Sequence, residues 1–240
     1  MNTLRFRSYP DYRALSAAVC DSMLALMRQK PDATLCLATG ATPLLVYQQL
    51  VEKIKQQAVD VSQITFVKLD EWAGISSDNP GSCEHFLQRH IIQPLHIQNE
   101  RFISFDPAHA NPQECRRIEA LIAGNGGLDF CLLGLGKNGH LGLNEPNAAL
   151  TPGCHIAQLD EQTRQHEMLK NADQPITQGI TLGLRNILAA KTVFLLVAGE
   201  GKQGAFTALC EENVTTALPA SFLWLHPNAT CFYDEAHYVR

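Results

Sequence analysis

The sequence predicts an α/β fold, a mostly parallel central sheet with helices on both faces. Three observations lead there. Near-continuous apolar runs recur along the chain, as strands covered on both faces require. Amphipathic segments with helix-start residues lie between several of them, and such alternation implies parallel strands joined by helical crossovers. No internal repeat, low-complexity tract or linker interrupts the pattern, so one domain is expected over residues 1–240.

The elements follow in order. "DYRALSAAVCDSMLALM" places Leu15, Val19, Met23 and Leu26 at helical spacing. "TLCLAT" is the first strand, and it exits into Gly40-Ala41-Thr42. Thr42-Pro43 then pairs an N-cap residue with proline at the first helical position. "ITFVKLD" is the next strand, ending in Asp70-Glu71-Trp72. Asn79-Pro80 and Asn111-Pro112 repeat the cap-proline pair, and Glu114 adds a capping box to the second. "LDFCLLG" leads into the glycine-rich "GLGKNGHLGLNEP". Residues 147–180 are polar and lack clear periodicity, which fits either a lid or irregular surface structure. "TVFLLVAG" exits into Glu200-Gly201-Lys202, and "ATCFY" completes the strands.

Composition narrows the function. Hydrophobic residues make up 45%, charged residues 18%, and the net charge is -5, which argues against a nucleic-acid surface. A few local donors can still hold a phosphate. "MNTLRFRSYP" lacks a signal peptide's apolar core and cleavage site, and no apolar run reaches the ~18 residues of a membrane span. A cytoplasmic protein without membrane partners is expected. The eight cysteines include no C-x-x-C pair and sit largely in apolar runs, so reduced core thiols are expected rather than a zinc site or disulfide framework.

Ligands of open parallel sheets bind outside the carboxyl ends of the strands. The strand exits are therefore informative. "ATGATP" puts backbone N–H groups at a helix N-terminus, where an anion is favoured, and Thr39 and Thr42 add hydroxyls. The alternative is an ordinary βα turn. Lys202, at another exit, is either a second anion contact or a surface charge. Asp70 and Glu71 are adjacent on a strand and point oppositely, so at most one faces a ligand. Such a carboxylate is either a proton-abstracting base or a salt-bridged acid.

Gly134 to Gly139 match the G-x-G-x-x-G dinucleotide fingerprint, and Asp160 follows about 20 residues on. That match is rejected. Its third glycine must open a helix, and His140, Gly142, Asn144 and Pro146 are a poor helix start. The glycines instead let the backbone turn tightly. His140 is then presented with Asn138 and Glu145 close enough to orient it, as a general acid or base needs. A structural loop histidine is the alternative.

Taken together, "LATGATPLLVYQQL", "FVKLDEW", "GLGKNGHLGLNEP", "GEGKQGA" and "PASFLWLHPN" resemble the glucosamine/galactosamine-6-phosphate deaminase (isomerase) family. The resemblance covers nearly the whole chain in one motif order, with a flavour nearest the galactosamine-6-phosphate branch. It implies an α/β fold with a Rossmann-like central sheet, and a sugar-phosphate reaction needing neither metal nor nucleotide cofactor. The amino sugar is opened, isomerised and stripped of its C2 amine, leaving a ketose 6-phosphate and ammonia. By motif match, Asp70 moves the proton between C2 and C1, His140 assists ring opening at O5, and Glu145 orients His140. Thr39, Gly40, Ala41, Thr42 and Lys202 fall at the phosphate-binding positions.

Two departures stand out. The family usually carries aspartate two residues before the histidine; here it is Asn138, expected to accept the imidazole N–H without adding charge. The family's phosphate arginine aligns with Leu169, with Lys170 beside it as a substitute. The related 6-phosphogluconolactonases typically lack N-E-P after the histidine, so Glu145 argues against that activity. A sugar-phosphate-binding module that has lost catalysis is a further alternative, and Asn138 is what favours it.

Overall fold

A computed structural model describes residues 4–172 and 174–240. Each apolar run becomes a short strand. The chain begins with β1 (Arg5–Tyr9), α1 (Tyr12–Gln29), β2 (Thr34–Leu37) and α2 (Ala41–Gln56). β3 (Thr65–Lys68), β4 (Asp70–Trp72), α3 (Cys83–Leu87), β5 (Phe102–Ile103), α4 (Pro112–Gly124) and β6 (Phe130–Gly134) follow. Then come β7 (His155–Gln158), α5 (Glu161–Arg164), β8 (Gln178–Thr181), α6 (Leu184–Leu188), β9 (Thr192–Val197), α7 (Gln203–Cys210) and β10 (Ala229–Asp234).

Seven strands form the main sheet in the order β1-β10-β9-β6-β2-β3-β5, and its pairings are parallel. The alternation of side chains explains why these strands read as unbroken apolar runs. Leu35 and Leu37 face a layer built with Leu15, Val19 and Met23 of α1 and Val46, Tyr47 and Leu50 of α2. Cys36 faces the opposite layer, with Ile118 and Ile122 of α4 and Phe206 and Leu209 of α7. Both faces are dry, so no position along the strand selects a polar residue.

Helix starts match expectation unevenly. Asp11 caps α1 by accepting from the Ala14 amide, and Asn111 caps α4 with Pro112 as its first residue. Glu114 does not complete the capping box; it turns to the Asp106 amide and to Arg117. Thr42 is not a cap either. α2 starts earlier, after Gly40, whose φ of 99° glycine adopts at little cost. Asn79 forms a turn with the Gly81 amide, and the cap of α3 is Ser82.

The polar stretch 147–180 is more ordered than its composition suggests. β7 and β8 pair antiparallel with each other, and β8 with β4, giving a second sheet in the order β4-β8-β7. α5 and a 3₁₀ turn over Glu167–Asn171 connect β7 to β8. Trp72, Ile75, Cys83, Leu143, Leu159 and Ile176 form a small core beneath them, with Met168 and Leu169 against it.

The sheet order fixes where a ligand can enter. From β2 the chain builds outward through β3 and β5, whereas β6, β9 and β10 extend the other way. Strand order therefore reverses between β2 and β6, and the crevice outside their carboxyl ends is the binding position in such sheets. β2 delivers Gly40 there, β6 delivers the His140 loop, β3 delivers Asp70 and β9 delivers Lys202.

Candidate active site

Asp70 and Glu71 diverge as the pleat requires. Glu71 is fully buried, its Oε2 2.8 Å from Lys68 Nζ. Its Oε1 accepts from the Trp72 amide at 2.9 Å and the Cys83 amide at 3.0 Å. Lys68 also donates to Glu84 and to the Phe105 carbonyl, so this cluster is closed on itself. Asp70 lies on the other side, 8% exposed, with the Cys83 thiol 3.7 Å from its Oδ1. Burial first, and the Glu71 charge second, push its carboxyl up to about 7, against the opposing pull of His140, Cys83 and Lys68. A carboxyl that gains and loses its proton near neutrality suits proton transfer.

The His140 loop closes tightly. The Gly136 amide donates to the His140 carbonyl at 3.1 Å, and the Gly139 amide to the Gly136 carbonyl at 3.0 Å. The imidazole rests directly on Gly136, where an added Cβ would stand 2.4 Å from the ring's Cδ2. No helix follows Gly139; Leu141 and Asn144 pair across a turn instead, and Asp160 caps α5 by accepting from Gln162. That is not dinucleotide geometry. The same loop crosses Asp70, since a Cβ on Gly142 would stand 3.4 Å from Asp70 Oδ2.

His140 Nδ1 lies 3.3 Å from Glu145 Oε2 and 3.3 Å from Thr163 Oγ1. A carboxylate at Nδ1 favours the proton there, which leaves Nε2 for a ligand. Burial alone would raise the Glu145 carboxyl, but contacts with His140, Asn138 and Thr163 outweigh it and hold it below its ordinary value. Asn138 does not accept from the imidazole, contrary to the expectation from sequence. Its Oδ1 accepts from the His140 backbone amide at 3.2 Å, and its Nδ2 donates to Glu145 Oε2 at 2.9 Å. An amide satisfies both partners, accepting from one and donating to the other, whereas an ionised carboxylate in its place could only accept. Asn138 thus acts on the imidazole through Glu145.

At the start of α2, Gly40 and Ala41 present the helix N-terminus, and Tyr12 braces the turn by donating to the Ala41 or Thr42 carbonyl. Lys202 Nζ donates to Thr42 Oγ1 at 2.8 Å, so the hydroxyl proton of Thr42 stays available. Burial, then the nearby Lys137 charge, lower the Lys202 ammonium to about 8. Thr39 is engaged elsewhere: its hydroxyl donates to Cys83 Sγ at 3.1 Å rather than into this cradle.

The segment after β7 covers the cradle, though not with the residues expected. Leu169 packs into the small core. Lys170 is exposed and pairs with Glu167 at 3.4 Å, so neither residue turns to the cradle. His166 does. Its Nε2 and Cε1 lie 3.9 and 3.8 Å from where a Cβ on Gly40 would stand, and its Nδ1 accepts from the Met168 amide. The ring proton therefore sits on Nε2, towards Gly40. Sequence reasoning missed His166, Lys137, Thr163 and Cys83. Lys137 lay inside the glycine loop and was legible there; the others carry no pattern of their own.

Among the described residues, no group of three or more His, Cys, Asp or Glu side chains is placed to hold a metal ion. No helix among them is long and apolar enough to cross a membrane. All eight cysteines are free thiols.

Comparison with known proteins adds identity to this geometry. The chain is 60% identical over 224 residues to the provisionally assigned deaminase AgaI of Escherichia coli (strain K12), covering 93% of this chain and 89% of AgaI. It is 41% identical to a glucosamine-6-phosphate deaminase of Streptomyces coelicolor, over 95% of this chain and 88% of that protein. A solved monomeric glucosamine-6-phosphate deaminase superposes with a TM-score of 0.92 at 34% identity, covering 97% of this chain and 98% of that one. A 6-phosphogluconolactonase from Thermotoga maritima shares the fold at a TM-score of 0.76 and 20% identity, covering 97% of this chain and 100% of that one. The family described as glucosamine-6-phosphate isomerases/6-phosphogluconolactonase matches residues 11–232, and the chain belongs to that family of enzymes.

Proposed function

We propose that this protein deaminates and isomerises a hexosamine 6-phosphate, with galactosamine 6-phosphate giving tagatose 6-phosphate and ammonia. The observation that carries the proposal is the meeting of Asp70 and the Glu145-oriented His140 beside the Gly40–Thr42/Lys202 cradle. A proton-transfer pair next to an anion seat suits a sugar phosphate held by its far end.

In this mechanism the phosphate sits on the Ala41 and Thr42 amides, the Thr42 hydroxyl and Lys202, with His166 closing over it. His140 Nε2 accepts the C1 hydroxyl proton and returns it to O5 as the ring opens, while Glu145 steadies the imidazolium that forms. Asp70 takes the proton from C2 while the C2 ammonium gives one of its protons to the C1 carbonyl oxygen, giving a neutral enaminol. Asp70 then returns its proton to C1, leaving an iminium at C2. Water adds there and ammonia departs, so the sum is amino sugar phosphate plus water to ketose phosphate plus ammonia.

The choice of galactosamine rests on the motif resemblance to that branch. It is supported by identity falling from 60% with AgaI to 41% with the Streptomyces glucosamine-6-phosphate deaminase. Glu145 supports deamination over lactone hydrolysis. The test is ammonia release from both C4 epimers side by side, with the ketose product identified and 6-phosphogluconolactone as a third substrate. Ammonia from neither epimer overturns the reaction. A larger kcat/KM for the glucosamine epimer overturns the substrate.

A further inference from the structure

We infer that Cys83 is a positioning residue for Asp70, a thiol donor to its Oδ1 that orients the carboxylate for accepting a proton and ties it to the loop after β2. The inference rests on the assignment of Asp70 as the base. Three contacts carry it. Cys83 Sγ lies 3.7 Å from Asp70 Oδ1, a sulfur hydrogen-bond distance. Thr39 Oγ1 donates to the same sulfur at 3.1 Å. The Cys83 amide is itself anchored on Glu71 Oε1 at 3.0 Å. Donation therefore runs one way, from the Thr39 hydroxyl to the thiol and from the thiol to the carboxylate.

The direction is fixed by chemistry. Cys83 is 2% exposed and has Asp70 and Glu71 for neighbours; burial, followed by those two charges, pushes the thiol well above its ordinary range. It stays S–H and can give a proton to Asp70 Oδ1. A donor to one carboxylate oxygen favours the ionised form, and the weaker polarity of sulfur makes the effect small. The other groups acting on Asp70 are accounted for: Glu71 on β4 disfavours ionisation, whereas His140 on the loop after β6 and Lys68 on β3 favour it. Cys36 on β2 and Tyr47 on α2 are also within electrostatic reach, but both are fully buried and held in their neutral forms. Cys83 is the neighbour placed to adjust Asp70 through a hydrogen bond while burying no charge of its own.

Thr39 makes the arrangement more than local packing. It begins the loop that presents Gly40 to the anion cradle, and its hydroxyl proton is spent on the sulfur. The base and the anion seat are thereby joined by two hydrogen bonds through a single sulfur atom.

The test is kcat/KM against pH, by ammonia release from the hexosamine 6-phosphate, for wild type, Cys83→Ala, Cys83→Ser and Thr39→Val. Cys83→Ala is expected to move the acid limb upward by roughly half a pH unit, the size of a weak hydrogen bond to one ionisation state. KM well above that limb stays near wild type. Cys83→Ser, whose hydroxyl is the stronger donor, brings the limb back to or below its wild-type position. Thr39→Val, which keeps the side-chain volume, shifts the limb in the same direction as Cys83→Ala but less. An acid limb unmoved in Cys83→Ala, or a serine variant that behaves like alanine, overturns the inference. Carbon NMR titration of the Asp70 carboxyl in the same proteins reads the effect without turnover. It separates failure of this inference from failure of the proposed reaction, and Thr39→Val supplies the answer should Cys83→Ala not fold.

Discussion

Asp70→Asn is expected to remove activity and, above neutral pH, to make the protein more stable. The folded chain raises this carboxyl from 3.8 to about 7, chiefly by burial. The folded state therefore binds the proton more tightly than the unfolded state, and ionising Asp70 in place carries a penalty. The penalty is absent below the unfolded value of 3.8, grows as pH rises, and is complete once pH passes about 7. A displacement of that size corresponds to about 4 kcal/mol. At about pH 5 roughly 1.5 kcal/mol of it is already present, so the further penalty between there and about pH 8.5 is roughly 2–3 kcal/mol. Asparagine cannot ionise and escapes the whole pH-dependent part. Any cost of seating an amide beside Cys83 is the same at both pH values and cancels in the comparison. For a chain of this length the difference in Tm between variant and wild type should widen by about 5–10 °C from the lower to the higher pH. Thermal unfolding at the two pH values measures it, and solvent-deuterium incorporation at the substrate measures the loss of proton transfer, expected at ~10²–10⁴-fold. A stability difference that does not change with pH refutes the raised carboxyl. Deuterium incorporation at the wild-type rate refutes its role.

Two further outcomes test the rest of the site. Lys202→Ala should raise KM by about 10–100-fold, the worth of one charge-assisted bond to phosphate, with a smaller change in kcat; an unchanged KM in initial-rate assays refutes the cradle. Gly136→Ala places a Cβ 2.4 Å from the His140 ring, which must move, so kcat should fall on the order of 10²-fold. Circular dichroism should show the fold intact, and near-wild-type turnover in a folded variant shows that the ring need not sit there.

The main sheet was legible because its strands are buried on both faces and so write themselves as unbroken apolar runs. β1, by contrast, reads "RFRSY": it is one of the two edge strands, largely open to solvent, and among the described residues it pairs with β10 alone. The second sheet was invisible for another reason. Its strands are three or four residues long, and they pair residues from β4 with partners more than a hundred positions later, too little periodicity to see locally. The candidate base and histidine were found because strand exits and tight glycine turns leave marks in sequence. Cys83 and His166 were not, because their positions depend on which segments the fold brings over the crevice. Asn138 was seen but given the wrong partner: spacing puts it near His140 without saying whether ring or backbone receives its oxygen.

That correction reverses what the missing aspartate means. With the amide oxygen on the His140 backbone and the amide nitrogen on Glu145 Oε2 at 2.9 Å, Asn138 supports the charged form of Glu145, and Glu145 supports the imidazole. An aspartate in the same place would still accept from the backbone amide, but its second oxygen would face Glu145 without a proton to give. Two unit charges at that separation repel by on the order of 5 kcal/mol at an effective dielectric of about 20. The pair must then share a proton or move apart, and either costs His140 its orienting partner. Asn138→Asp should therefore lower kcat/KM relative to wild type, most strongly at alkaline pH, and the ratio should recover as pH falls and the two carboxylates take up a shared proton. Asn138→Ala should also lose activity, through loss of both bonds, but with a ratio that does not depend on pH in this way. The measurement is kcat/KM for wild type and both variants across the pH range. An aspartate variant faster than wild type throughout would show that the imidazole, not Glu145, is the partner, and that asparagine here is a step away from catalysis rather than a support for it.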